Sequence, residues 1–386
     1  MKLIDIFMGK GKNKESAAVK AATESGEPNP PKAAKSDSGL KKTLPKDIEA
    51  YIHDDEAVKA AFSTCDINAY GGFNAGNIFF FFISEEMMEW CLARGADINY
   101  RDRYDYTPLH YHSNSVKGEE QALLLIKHGA DVNVADRLMK ESPLFFAVRV
   151  GNLKLIDVLL EKGADLNAVN FRGYTPLEAL FAGAMPIDLP KVVTVTRFLV
   201  ERGAVITDMV KAGYLRVAKD IEFRRKEISN DFIDKIDEAM DSLYEMLQVE
   251  RVPRRQEYDG KSPIVVTETS WGKQHAELWN LLVPGSGRAN TVQGEVIRIT
   301  GKACYEILDN GAMNWDNDYR EMIVALKKYL QMGERLSDEE YAEIAELTKD
   351  IKNKDEEDLN RLTELSVKWV VKNPNPMALG EVEYTR

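Results

Sequence analysis

Apolar residues fall in short blocks that recur along this chain. Leu123–Ile126, Leu155–Leu160 and Phe198–Val200 each run into a glycine, Gly129, Gly163 or Gly203, and glycine supplies the left-handed backbone that ends a helix. Upstream of these blocks stand Thr107-Pro108, Ser142-Pro143 and Thr175-Pro176. Each pair places a hydroxyl where a helix needs a cap and proline at the first helical position, where its missing N–H costs nothing. Between a glycine and the next hydroxyl-proline pair lie eleven or twelve mostly polar residues, enough for an extended finger and too few for a helix. Gly-Ala-Asp opens this stretch at Gly95, Gly129 and Gly163, two intervals of 34 residues, and a fixed period of that size marks a stacked repeat.

The pattern also predicts what flanks the stack. Ile48, Tyr51, Ile52, Val58 and Phe62 have roughly helical spacing, giving a leading helix over residues 45–65. Asp66-Ile67-Asn68 and the Phe-rich run after Asn77 read as a degenerate first repeat. FAGAMPIDLP lengthens the fourth repeat and predicts a loop between its helices near Pro186–Pro190. Residues 208–248 hold no proline and set Ile228, Phe232, Ile236, Met240, Leu243 and Leu247 at steps of three and four, which predicts an amphipathic helical cap. Further helices are expected at Trp271–Leu282, Thr291–Asn310 and Tyr319–Gln331, and Ser337-Asp-Glu-Glu340 is a capping box opening another. The expected organisation is a short apolar tag with a basic disordered linker (1–46), a repeat stack (47–207), a helical connector (208–249), a linker (250–263) and a mostly helical C-terminal domain (264–386). The fold class is mainly α.

Thr-Pro-Leu-His at 107–110, with Gly-Ala-Asp-[Ile/Val/Leu]-Asn three times, resembles the ankyrin repeat over about four repeats, residues 66–207. The two middle copies follow the family pattern well; the outer two depart from it, and Asp105 stands where a fingertip glycine is usual. WNLLVPGSGRANTVQGEVIR and NGAMNWDNDYR resemble segments of an uncharacterised bacterial helical domain. Ankyrin families bind proteins through the fingertips and the adjoining first helices. Carried onto this sequence, the resemblance implies a partner surface of Arg101, Arg103, Tyr104 and Tyr106, then Arg137, Leu138, Met139 and Lys140, then Phe171, Arg172 and Tyr174. Tyr111, Asn114 and Arg149 are its neighbours on the first helices. Aromatic residues, Arg and Met are the types enriched in interfaces. His110 and His128 stand where the family commonly uses histidine for hydrogen bonding.

Charge narrows the partner. Residues 1–46 carry ten lysines against five acids, which leaves 41 basic and 58 acidic residues, a net of −17, in residues 47–386. Nucleic-acid affinity comes largely from neutralising phosphates, so an acidic body argues against DNA or RNA and suits a cationic partner surface better, while the basic fingertips on the concave side are expected to meet an acidic or aromatic-accepting patch of a partner protein. Cys65, Cys91 and Cys304 are too scattered for a disulfide framework or a paired-cysteine metal site, and buried thiols are expected. The apolar run from Met1 to Phe7 is short and broken by Asp5. It predicts no secretory signal and no stable membrane insertion, and the expected compartment is the cytoplasm.

Catalytic patterns fail on spacing. Gly285-Ser-Gly287 has Asn290 where a dinucleotide fingerprint wants glycine, and Gly301-Lys302 has Val296 where a phosphate-binding loop needs its first glycine. Ser286 lacks the flanks of a nucleophile elbow. His275-Ala-Glu277 has no downstream Pro-Cys-x-x-Cys. Asn314, Asp316 and Asp318 alternate like a calcium loop but lack its glycine and its bidentate Glu. Glu295 and Asp316 remain as a carboxylate pair that could do acid–base work if burial raised one pKa. No cofactor or metal is expected. The reading is an adaptor that binds a partner protein through the repeats; a bacterial immunity or inhibitor protein masking a basic toxin, and an enzyme housed in residues 264–386, are the alternatives.

Overall fold

A computed structural model describes residues 39–72, 74–256 and 258–386; the apolar tag and the linker through residue 38 lie outside the described residues. The chain forms two compact units. One runs to Val217 and includes Lys235–Glu250; the other comprises Ala218–Asp234 and Arg251–Arg386.

The first unit opens with a strand, β1 (Lys41–Thr43), helix α1 (Asp55–Ala61) and a second strand, β2 (Cys65–Tyr70), which pairs parallel to β1. The leading helix expected over 45–65 is therefore cut down. Ile48–Ala50 is a single 3-10 turn, and Asp54 starts α1 by accepting from the Ala57 N–H at 3.1 Å. Four helical pairs follow. The first is a 3-10 turn at Ile78–Phe80 with α2 (Glu85–Leu92); then come α3 (Pro108–Ser113) with α4 (Glu119–Lys127), α5 (Pro143–Val150) with α6 (Leu153–Glu161), and α7 (Pro176–Gly183) with α8 (Leu189–Glu201). Thr107 and Thr175 each accept from the backbone N–H three residues on, and the side chains of His110 and Glu178 return the bond to the cap's N–H. Ser142 differs: its hydroxyl makes no capping bond.

The recurring Gly-Ala-Asp-x-Asn phrase is the joint between repeats. Gly129 and Gly163 take φ of 91° and 87°. Asp97, Asp131 and Asp165 each accept from the N–H two residues on, at 2.9 Å. Asn68, Asn99 and Asn133 accept from the N–H groups of Asp97, Asp131 and Asp165 at 2.7, 2.9 and 3.0 Å. Each asparagine thus fastens its own turn to the next one, and Asn68 brings the irregular first repeat into the same ladder. The apolar faces meet behind it: Leu109, Leu125, Leu144, Leu155, Leu159 and Leu199 are fully buried.

The expected loop of the fourth repeat is nearly absent. α7 runs to Gly183, a 3-10 turn at Pro186–Asp188 leads straight into α8, and Arg216 closes the end of α7 by donating to the Ala184 carbonyl at 2.8 Å. The run expected to form a helical cap is two helices, α9 (Asp208–Arg224) and α10 (Asn230–Leu247), because Ser229-Asn230-Asp231 is a helix-starting sequence.

In the C-terminal unit α11 (Trp271–Leu282), α12 (Val292–Leu308), α13 (Asn317–Tyr329), α14 (Asp338–Thr348) and α15 (Glu356–Lys372) pack around one core that includes Leu278, Val296, Ile299, Leu326, Leu362 and Trp369. α12 is its axis and is buried along most of its length. All three cysteines are buried free thiols.

Candidate protein-binding surface

Three fingers project between the helix pairs, and each is closed by an inward-turned Asx residue. Asp102 Oδ1 accepts from the N–H groups of Tyr104 and Tyr106, both at 2.9 Å; Asn170 Oδ1 accepts from Arg172 and Tyr174 at 3.0 and 3.1 Å. Asp136 closes a finger one residue longer, accepting from Leu138, Met139 and Glu141. Such side-chain-to-backbone bonds are what short Asx side chains do best in turns. The left-handed residue in the three tips is Asp105 (φ 69°), Lys140 (φ 54°) and Gly173 (φ 76°), so Asp105 does take the glycine position.

Neighbouring fingers are zipped together. The Arg103 N–H donates to the Asn74 carbonyl at 3.0 Å, and the Phe171 N–H to the Met139 carbonyl at 2.8 Å. Asp105 bonds Arg101, accepts from the Arg137 N–H at 2.9 Å and pairs with Arg137 Nε at 3.1 Å. Glu141 is a second junction. Its carboxylate takes Arg149 at 2.6 Å and Asn170 Nδ2 at 3.1 Å, while its carbonyl accepts from His110 Nε2 at 3.0 Å. Burial holds the His110 pKa down to about 4, so the ring is neutral, with Nδ1 accepting from the Thr107 N–H at 3.1 Å. Histidine here is a joint between repeats.

The side chains named from sequence divide into two groups. Arg101, Tyr106, Met139 and Tyr174 are half-buried and help to build the fingers; Tyr106 packs edge-on against Phe146, with ring centroids 5.5 Å apart. Arg103, Tyr104, Arg137, Leu138, Lys140, Phe171 and Arg172 are exposed at the tips, and Tyr111, Asn114 and Arg149 are exposed on or beside the first helices. Tyr104, Leu138 and Phe171 are 45, 59 and 42% exposed, a run of large apolar groups that a solvated turn does not require.

Sequence reasoning missed a second set of exposed apolar residues. Phe82, Val116, Met185 and Ile187 all fall in the turn between the two helices of a repeat, and that shared place was the available signal. It also missed the inward acids: Asp102, Asp136 and Glu141 are at most 4% exposed. Glu85, Glu89 and His128 bring their ligand atoms within 4.8 Å of one another, a donor set zinc sites use. Lys127 Nζ already stands 2.6 Å from Glu85.

The carboxylates considered for acid–base work in the C-terminal unit are committed elsewhere. Burial disfavours the charged form of Glu295, yet Arg298 at 2.5 and 2.8 Å and the Tyr384 hydroxyl at 2.7 Å more than offset this and hold its pKa below the usual value. Asp316 caps α13 through the Tyr319 N–H and pairs with Arg386 at 2.6 Å. Glu306 receives Asn310 and Asn314. A cleft of about 470 Å³ lies along α11, α14 and α15, lined by Trp271, Leu347, Asn360, Arg361 and the acids Glu343, Asp355, Glu357, Asp358 and Glu364.

Helix pairs joined at a 34-residue interval by Asp–Asn turns, with zipped fingers between them, are an ankyrin-repeat stack. The ankyrin-repeat family model matches residues 79–170 in three copies. Among similar proteins are the human palmitoyltransferase ZDHHC13, 37% identical over 81 residues (21% of this chain and 13% of that protein), and human ankyrin repeat and SOCS box protein 6, 34% identical over 124 residues (32% and 29%). The mouse B-cell lymphoma 3 protein homolog is 29% identical over 104 residues (27% and 23%). The match spans less than a third of each relative's length. The repeats support a role in protein–protein interaction, and among the described residues no helix is long and apolar enough to cross a membrane.

Proposed function

We propose that this chain is an adaptor that holds one partner protein stoichiometrically on the finger strip and adjoining first helices of its repeats. The observation that carries this reading is the strip itself: Tyr104, Leu138 and Phe171 held out in water on fingers that hydrogen bonds to neighbouring segments keep in place. A preformed surface loses little entropy on binding, and large exposed apolar groups are what the centre of an interface needs. The named activities of the relatives do not transfer, because the shared stretch is a minor part of each.

Affinity purification of the full chain from its native cells tests the reading. A partner retained at one-to-one stoichiometry should be lost on combining Tyr104→Ala, Leu138→Ala and Phe171→Ala, with the melting temperature nearly unchanged. The same partner retained by the triple variant contradicts it. A second reading, an inhibitor that offers acids to a basic toxin, is favoured by the α11–α14–α15 cleft, where Arg361 is already taken by Glu343 and Glu364 at 2.8 Å each. It expects that partner to be lost on Glu357→Lys and Asp358→Lys instead.

A further inference from the structure

The finger strip sorts its charges by sign. Its acids point inward: Asp102 and Asp136 are 3 and 2% exposed, with Asp102 Oδ1 and both Asp136 oxygens accepting from backbone N–H groups, while the side chain of Asp105 is 17% exposed between two arginines. Three of its cations point outward, while Arg101 is half-buried against Asp105. Arg137 has 82% of its side chain in water, and Arg103 and Lys140 are exposed with no ion pair among the described residues. A surface whose carboxylates turn inward, while Arg103, Arg137 and Lys140 stay exposed, offers positive charge to a partner, on a chain whose residues 47–386 carry a net −17. The sequence already sets basic fingertips on an acidic body; the structure adds that the acids of the first two fingers turn inward while Arg103, Arg137 and Lys140 stay exposed.

Resting on the protein-binding reading above, we propose that the occupant of the strip is an acidic, extended peptide segment with apolar side chains interleaved among its carboxylates. Each feature of the strip has a counterpart in such a segment. The cations attract carboxylates and speed encounter; Tyr104, Leu138 and Phe171 take the apolar side chains. The fingers stand side by side along the stack, so one extended chain crosses them in turn. Nucleic acid shares the attraction to Arg and Lys but not the need for Leu138 and Phe171, and the acidic remainder of the chain repels a polyphosphate.

The test is selection of random twelve-residue peptides on the full-length chain, followed by titration of the enriched peptides. They should be rich in Asp and Glu alternating with apolar residues. Combining Arg103→Glu and Lys140→Glu should weaken them about tenfold or more, and raising salt from 50 to 500 mM should weaken them several-fold. The control Lys162→Glu, at the end of α6, should leave affinity unchanged. Neutral or basic peptides that still lose affinity on Leu138→Ala would sink this inference and leave the protein-binding reading standing. Enriched peptides indifferent to every finger change would sink both. Displacement of the peptides by an equal concentration of oligo-dT12 would assign the strip to nucleic acid and overturn the proposal.

Discussion

In the repeats, Asp105 and Glu141 turn inward and fix the fingers, while Arg137 and Leu138 stay in water. In the C-terminal unit Glu295 turns inward and takes its arginine with it: the Arg298 side chain is 1% exposed and its partner's is fully buried. The same residue types therefore do opposite things. On the fingers, buried acids fix turns whose neighbouring side chains stay exposed. Around α12 they pair with one another, and Tyr384 and the Arg386 carbonyl add to the set, leaving Arg298 Nη1 without a partner among the described residues. What separates a presented surface from a sealed interior is where the counter-charge lies, and this is decided by contacts between residues far apart in the chain.

The largest expected effect breaks the sealed side. Arg298→Met leaves Glu295 ionised in the core and should cost about 3–5 kcal/mol, and adding Glu295→Gln to it should recover much of that loss. Urea unfolding followed by tryptophan fluorescence measures this, since Trp271, Trp279, Trp315 and Trp369 lie in that unit. A cost below about 1 kcal/mol would mean the pair is hydrated and the contrast is false.

The next effect sharpens the comparison among fingers. Burial, its largest cause, raises the Asp102 pKa to about 6 against the pull of two backbone N–H groups, and Oδ2 has no partner among the described residues. A carboxyl whose pKa is higher folded than unfolded contributes stability that is fully present below about pH 4 and lost as pH rises through 6. Asp102→Asn, which copies the Asn170 that closes the third finger, should therefore stabilise the repeats by about 2 kcal/mol at pH 7 and by little at pH 4. Thermal melts at the two pH values check the sign.

Smaller still, Asn133→Ala removes the bonds to the Asp165 N–H and the Gly163 carbonyl and should cost about 1–2 kcal/mol, seen as faster amide exchange over residues 163–167. Smallest is Arg103→Glu, which should change stability by no more than about 0.5 kcal/mol. A larger loss would place Arg103 among the residues that build the finger.

Much of the stack was legible because its signals are local and repeated. Thr175-Pro176 starts a helix, Gly163 ends one, and both act within a turn of backbone. Ser142 shows the limit: the residue type was right and the capping bond is absent. Strand β1 could not be read, since Lys41, Lys42 and Thr43 are all exposed and are held by main-chain bonds such as that from the Lys41 N–H to the Thr64 carbonyl. At the fingers the residue list was legible and its division was not. Nothing in Arg-Asp-Arg-Tyr-Asp-Tyr says that Asp102 faces in and Arg103 out; that follows from Asp102 closing the turn. Glu295 and Asp316 looked like a carboxylate pair because Tyr384 and Arg386, which occupy them, lie some seventy or more residues away.

Hydrogen exchange of the full chain, with and without the copurified partner, tests the central claim most directly. Protection should appear in the fingers, residues 100–107, 134–142 and 168–175, and in the adjoining first helices, with residues 264–386 unchanged. Protection confined to α11, α14 and α15, with the fingers exchanging as in the free chain, would contradict the account.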